Sequence, residues 1–148
     1  MLLVIGIFLA AFLALLILTK KGRSLADIIL GVWMIIISFH LALYYGFITE
    51  SIFQYPFLLG LNAPIPFFHG VFLYLYVAAL TEPHSFTSKK WLLHFILPAG
   101  IISLYFPFII SPAAEKLKVY ENDGKGYETI MDISGVLLNI SGVLYILI

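Results

Sequence analysis

Five apolar runs alternate with short polar connections along this chain, and the third organises the rest. Pro64–Thr81 holds eighteen residues with no formal charge, and it closes on Glu82-Pro83. A run of that length and polarity spans the hydrocarbon part of a bilayer as a helix. Its two leading prolines fit a first turn, where no intrahelical donor is lost. Two apolar runs precede it and two follow, so the pattern predicts an all-α membrane protein of five crossings in up-and-down order. The predicted helices cover about 2–18, 25–47, 64–81, 91–110 and 130–148, in a single polytopic domain over 1–148.

The connections carry the punctuation. After the first run come Lys20, Lys21 and Arg23, and then Ser24 and Asp27 form an S-x-x-D pair suited to capping the second helix. That helix ends in the aromatic group Tyr44-Tyr45-Gly46-Phe47, of the kind that settles in the headgroup layer. In the connection 48–63 the apolar piece Phe57–Leu61 is too short to span and is expected at the interface. The fourth run is interrupted by Pro98, expected to kink it by clashing with the carbonyl of His94, and by Pro107, expected to end it. The longest hydrophilic stretch, Ser111–Glu128, has a turn signal at Asn122-Asp123-Gly124 and room for a short surface helix over Ala113–Tyr120. Thr129 and Asp132 repeat the capping pattern ahead of the fifth run, which is expected to reach the opposite face as the sequence closes at Ile148.

Composition agrees with that environment. Only 11% of the residues are charged against 62% hydrophobic, and mean hydropathy is +1.07; soluble domains carry about a quarter charged residues. Eight basic and eight acidic residues leave no net field for nucleic acid or acidic ligands. The absence of cysteine excludes disulfides, thiolate metal sites and thiol catalysis. The first run has its positive cluster after the apolar stretch, so it reads as a retained helix rather than a signal peptide.

Lys and Arg in the four connections number three, none, two and three. The rule that positive loops stay in the cytoplasm then predicts an inner-membrane protein with its N-terminus outside and its C-terminal end inside. The fourth connection runs against that contrast, and the other three decide it.

Polar residues inside lipid are where function is sought. Helical rise puts His40 roughly 20 Å from the inner edge and His69, on the antiparallel neighbour, roughly 22 Å from it. At one level they form either a ligand-sensing or proton-sensitive pair, with Tyr44 and Tyr74 as further candidates, or two packed histidines bonded to backbone or tyrosine hydroxyls. Packing is the commoner outcome, and two histidines without a carboxylate make a poor metal site. His94 is expected about one turn inside the inner edge, anchoring there or bonding to a neighbouring helix, and His84 in a solvated turn. On the fifth helix Asp132, Gly135, Asn139 and Gly142 fall on one face, widened by Ser134 and Ser141. Such a face suits helix packing within or between subunits, or less commonly a polar path. No HExxH, GxSxG, P-loop or Gly-rich nucleotide motif occurs. No catalytic set, metal or cofactor is therefore expected.

The run Pro66-Phe67-Phe68-His69-Gly70-Val71-Phe72-Leu73-Tyr74-Leu75-Tyr76-Val77 resembles the PFLxGPLLYLYV-like pattern of membrane-embedded AraC-type transcriptional regulators of the Bacteroidetes kind. Lys89-Lys90-Trp91-Leu92-Leu93-His94-Phe95-Ile96-Leu97-Pro98 is similar to that family's following helix. Val71 stands where the family has a proline, and Leu97 is an extra residue before Pro98. The resemblance implies an incomplete seven-helix sensor domain whose contact with DNA runs only through a C-terminal helix-turn-helix domain, and nothing in this sequence resembles that domain. Either the chain is the front of a longer regulator or it is a shorter relative. The resulting expectation is a non-enzymatic membrane sensor of unknown ligand, able to form a homo-oligomer. The rival is a small oligomeric transporter or channel subunit.

Overall fold

A computed structural model describes residues 1–81, 86 and 89–147. The turn expected at Glu82-Pro83 and the solvated histidine expected at His84 lie outside the described residues. Six α-helices make up the frame, and no strand occurs among the described residues: α1 (Leu2–Thr19), α2 (Leu25–Ile48), α3 (Pro66–Thr81), α4 (Ile96–Ile110), α5 (Ala113–Glu121) and α6 (Glu128–Leu147). Four helical stretches are long and apolar enough to cross a membrane: α1, α2, Lys89–Ile110 and α6.

Local chemistry sets most boundaries. Ser24 caps α2 through a reciprocal pair, in which the Asp27 amide donates to Ser24 Oγ at 3.1 Å and the Ser24 amide donates to Asp27 Oδ2 at 2.7 Å. Lys20 reaches the same carboxylate at 3.0 Å, and Arg23 donates to the Leu18 carbonyl left free at the end of α1. The α1–α2 hairpin closes tightly, with Gly31 facing the Leu18 side chain and Ser38 Oγ donating to the Ile7 carbonyl at 2.9 Å. Beyond α2, α1 exposes a broad apolar surface that includes Phe8, Phe12 and Leu16, as a lipid-facing helix does.

Several expectations give way. The third helix starts at Pro66, not Pro64, and its sixteen residues rise about 24 Å. Pro64 and Ile65 instead supply carbonyls to a tight turn, accepting from Phe67 and Phe68. Pro98 does not kink a continuous helix. Lys89–Phe95 winds as a 3-10 helix, and α4 begins at Ile96, so Pro98 falls in a first turn whose amides need no partner inside the helix. Pro107 sits inside α4, which runs on to Ile110. Thr129 does not cap α6. The helix starts one residue earlier, where the Met131 amide bonds the Tyr127 carbonyl and Glu128 reaches back to the Gly126 amide at 2.7 Å; Asp132 is left exposed, one turn inside.

The connection 48–63 folds into two short 3-10 turns, Ser51–Gln54 and Pro56–Leu58, and Ile52 and Leu59 plug the end of the bundle while Tyr55 and Phe57 stay exposed. Leu59 is 0% exposed and Ile52 3%, packed with Leu43 of α2 and Phe108 of α4. Gly60 permits that contact: its φ is +93°, and a Cβ there would stand 2.7 Å from the Phe108 ring. With α5 the connection forms a cap, while α2, α3, α4 and α6 pack below it around Phe67, Val71 and Ile101.

Candidate functional site

The site is assembled where the cap meets the helices. Antiparallel α2 and α3 bring His40 and His69 together, with His40 Nδ1 3.0 Å from His69 Nε2 and the rings stacked at 5.2 Å. Trp33, two turns before His40 on α2, donates its indole N–H to His69 Nδ1 at 3.1 Å. Indole nitrogen is only a donor. His69 Nδ1 must therefore accept, its proton resides on Nε2, and that proton is given to His40 Nδ1. One direction of donation thus runs from Trp33 through His69 to His40, and it requires both imidazoles neutral. Neither of the partners expected for packed histidines, backbone or a tyrosine hydroxyl, is used between them.

Beyond His40 the line continues into the cap. The Asn62 side chain lies within reach of the His40 ring, although its buried Oδ1 meets no donor at good hydrogen-bond geometry among the described residues. Asn62 therefore turns this oxygen toward packed atoms on the His40 side and not into open space. It lines a cavity of about 520 Å³, within the size range of small-molecule sites. Tyr44 and Phe47 of α2, Tyr105 and Phe108 of α4, Tyr120 of α5 and Tyr127 before α6 enclose it. These rings brace one another, with Phe108 5.0 Å from Tyr127 and Phe47 5.5 Å from Tyr120, centre to centre. Burial pushes the Tyr120 hydroxyl above its ordinary range, partly offset by the Gly60 backbone. Lys116, 2% exposed, lies outside the cavity lining with its ammonium 6.0 Å from the Phe108 ring centre. Desolvation pulls Lys116 below the usual lysine range.

The candidates from sequence separate into three places. His40 and His69 meet. Tyr44 joins them only through the cavity it lines, half exposed at its mouth. Tyr74 belongs elsewhere: it stacks on His94 at 4.0 Å, beside Tyr145, and Tyr145 Oη lies 3.2 Å from His94 Nδ1. His94 therefore bonds across to a neighbouring helix, one of the two roles expected of it. This cluster also corrects the expected depth of α6. Tyr145, near its end, stands against Gly70 and Tyr74, about 10 Å of helical rise short of Thr81 on α3.

The small-residue face of α6 packs against nothing within the described chain. Gly135, Asn139 and Gly142 are exposed, a Cβ at either glycine would meet nothing within 4 Å, and Asn139 bonds back to the Gly135 carbonyl at 2.8 Å. Ser134 and Ser141 do not widen that face. They are buried on the opposite side, where Ser134 bonds the Ile130 carbonyl. No group of three metal-ligating side chains occurs among the described residues. Sequence reasoning missed Trp33, Asn62, Tyr105, Tyr120 and Tyr127. Asn62 alone carries a usable signal, as the one polar side chain between Gly60 and Pro64.

No known protein family, no curated protein and no solved structure matches the chain.

Proposed function

We propose that this chain is a non-enzymatic membrane sensor that reads a small molecule in the cavity beneath its cap. The observation that carries the reading is the position of Asn62, a lining residue of the aromatic chamber whose side chain turns toward the His40–His69–Trp33 line between α2 and α3. A ligand that engages Asn62 changes what His40 faces, and through His69 it biases the packing of two helices. In this proposal α3 is a fifth crossing, the cap is outside, the N-terminus is outside and the protein lies in the inner membrane. The resemblance around Pro66–Val77 extends the proposal to the membrane part of an AraC-type regulator, with DNA reached only through a domain beyond this chain.

The test uses the lack of native cysteine. A fluorinated label on Thr81→Cys, at the far end of α3, reports on packing remote from the cap. Ala63→Trp, which fills the cavity, is expected to move the label's resonance, as helix shifts of about 1–2 Å do. A label on Phe8→Cys of α1 stays unchanged. If the folded Ala63→Trp protein leaves the Thr81→Cys signal where it was, the sensor reading fails.

A second reading has its own support. The outward face of Asp132, Gly135, Asn139 and Gly142 is free to meet another copy or to line water in an oligomeric transporter or channel. Asn139→Cys that reacts with a membrane-impermeant reagent favours the path, and protection favours lipid or subunit packing.

A further inference from the structure

The cavity's lining is lopsided in charge. Asp123 contributes a carboxylate at its rim, while its described lining holds no Lys, Arg or His. The rest is mostly aromatic ring and apolar side chain. Such a chamber is poorly matched to an anion, which would meet a carboxylate without a counter-charge. It matches a cation well: aromatic faces attract ammonium groups, and desolvation strengthens the attraction. The chain supplies one such contact itself, with the Lys116 ammonium over Phe108.

We propose that the cavity takes a small organic ammonium ion, seated among the Tyr44, Tyr105, Tyr120 and Tyr127 rings, with Asp123 as its counter-charge. The inference rests on the sensor reading for its consequence, though not for its chemistry. Lys116 is a like charge behind Phe108, outside the lining, so it weakens cation binding. Asp123 sits at φ +54°, a left-handed conformation that asparagine also adopts readily. Asp123→Asn therefore removes the charge and leaves the turn intact.

Three probes of similar shape decide the matter in nanodiscs by calorimetry: 2-phenylethylammonium, 2-phenylethanol and 3-phenylpropanoate. The ammonium is expected to bind about tenfold or more tighter than the alcohol, a difference of about 1.4 kcal/mol, and the carboxylate not at all. Asp123→Asn weakens the ammonium about tenfold and leaves the alcohol unchanged, whereas Lys116→Met tightens the ammonium. Equal or tighter binding of alcohol or carboxylate overturns the cation proposal and leaves a binding cavity in place. Binding of none of the three also overturns it. The label on Thr81→Cys, read with Ala63→Trp and no probe, judges the sensor reading separately.

Discussion

Two clusters hold imidazole rings inside the helical frame, and they are built on different principles. His40, His69 and Trp33 form a line between α2 and α3 in which each donor has one acceptor and the order of protons is forced. His94, Tyr74 and Tyr145 form a stack that joins α3 and α6 to the 3-10 segment leading into α4. There ring contact at 4.0 Å does the holding, and the one side-chain bond, at 3.2 Å, is long for a phenol. The first reaches the cavity beneath the cap only through Asn62, which lines it and stands beside His40. The second lines a shallow open groove with Lys90, Gly100 and Leu137. A hydrogen-bonded line transmits a change at one end because altering one ring's proton disturbs the next. A stack tolerates loss of a polar atom if shape is kept. In the proposed sensor the line is the part that carries a change, and the stack is the part that fixes helix positions.

The sharpest way to break that contrast is at His69. His69→Leu leaves the Trp33 indole without its acceptor and His40 without its donor, two half-buried orphans at the lower end of about 1–3 kcal/mol each. We expect a loss of about 2–3 kcal/mol in detergent unfolding. His69→Gln, able to accept from Trp33 and donate to His40, is expected to recover part of it. A loss near zero for His69→Leu would mean that the line carries no energy.

The corresponding attack on the stack is steric. Gly70 brings α3 against α6, and a Cβ there would overlap the Tyr145 ring, standing only 2.9 Å from its Cγ. Tyr145 is hemmed in by Tyr74 and His94, so Gly70→Ala is expected to cost about 2 kcal/mol by overpacking. Tyr145→Ala in the same chain should relieve most of that added cost, a coupling that a double-mutant cycle reads directly. Additive losses would place the clash elsewhere. A smaller effect attaches to the hydroxyl alone. Tyr145→Phe keeps the ring and gives up the hydroxyl's two long contacts to His94, 3.2 Å to Nδ1 and 3.5 Å to the carbonyl, about 0.6 kcal/mol on the average for hydrogen bonds between membrane helices.

The two clusters also show where sequence reasoning reaches and where it stops. His40 and His69 sit on helices adjacent in the chain and antiparallel, so counting residues from each end places them at one level. The His94–Tyr145 bond joins residues 51 apart on elements whose relative height depends on the cap. No residue count supplies that offset, and counting alone therefore groups Tyr74 with the wrong histidine. The cavity is hidden for a related reason. Tyr105, Tyr120 and Tyr127 look like interfacial aromatics one by one, and only the folding of Ser51–Leu58 over Phe108 turns them inward. Capping is legible where both partners are local, as at Ser24–Asp27. It misleads at Thr129, where Glu128 finds the Gly126 amide first.

The smallest expected effect tests the face that neither cluster uses. In a soluble helix, exchanging an interior glycine for alanine gains about 0.5–1 kcal/mol, because glycine loses more backbone freedom on folding. A methyl added at Gly135 would meet nothing within 4 Å inside the described chain. Gly135→Ala is therefore expected to leave a monomer in detergent unchanged or stabilised by about a few tenths of a kcal/mol. Self-association is the only term that can reverse the sign. Small residues let helix backbones approach closely in lipid, and an added methyl would separate two copies held through Asp132, Gly135, Asn139 and Gly142. Unfolding measured across a range of protein-to-detergent ratios distinguishes the cases. A stabilising effect at every ratio assigns this face to lipid. A destabilising effect that grows with protein concentration assigns it to a second copy and gives α6 a partner of its own, independent of the line and the stack.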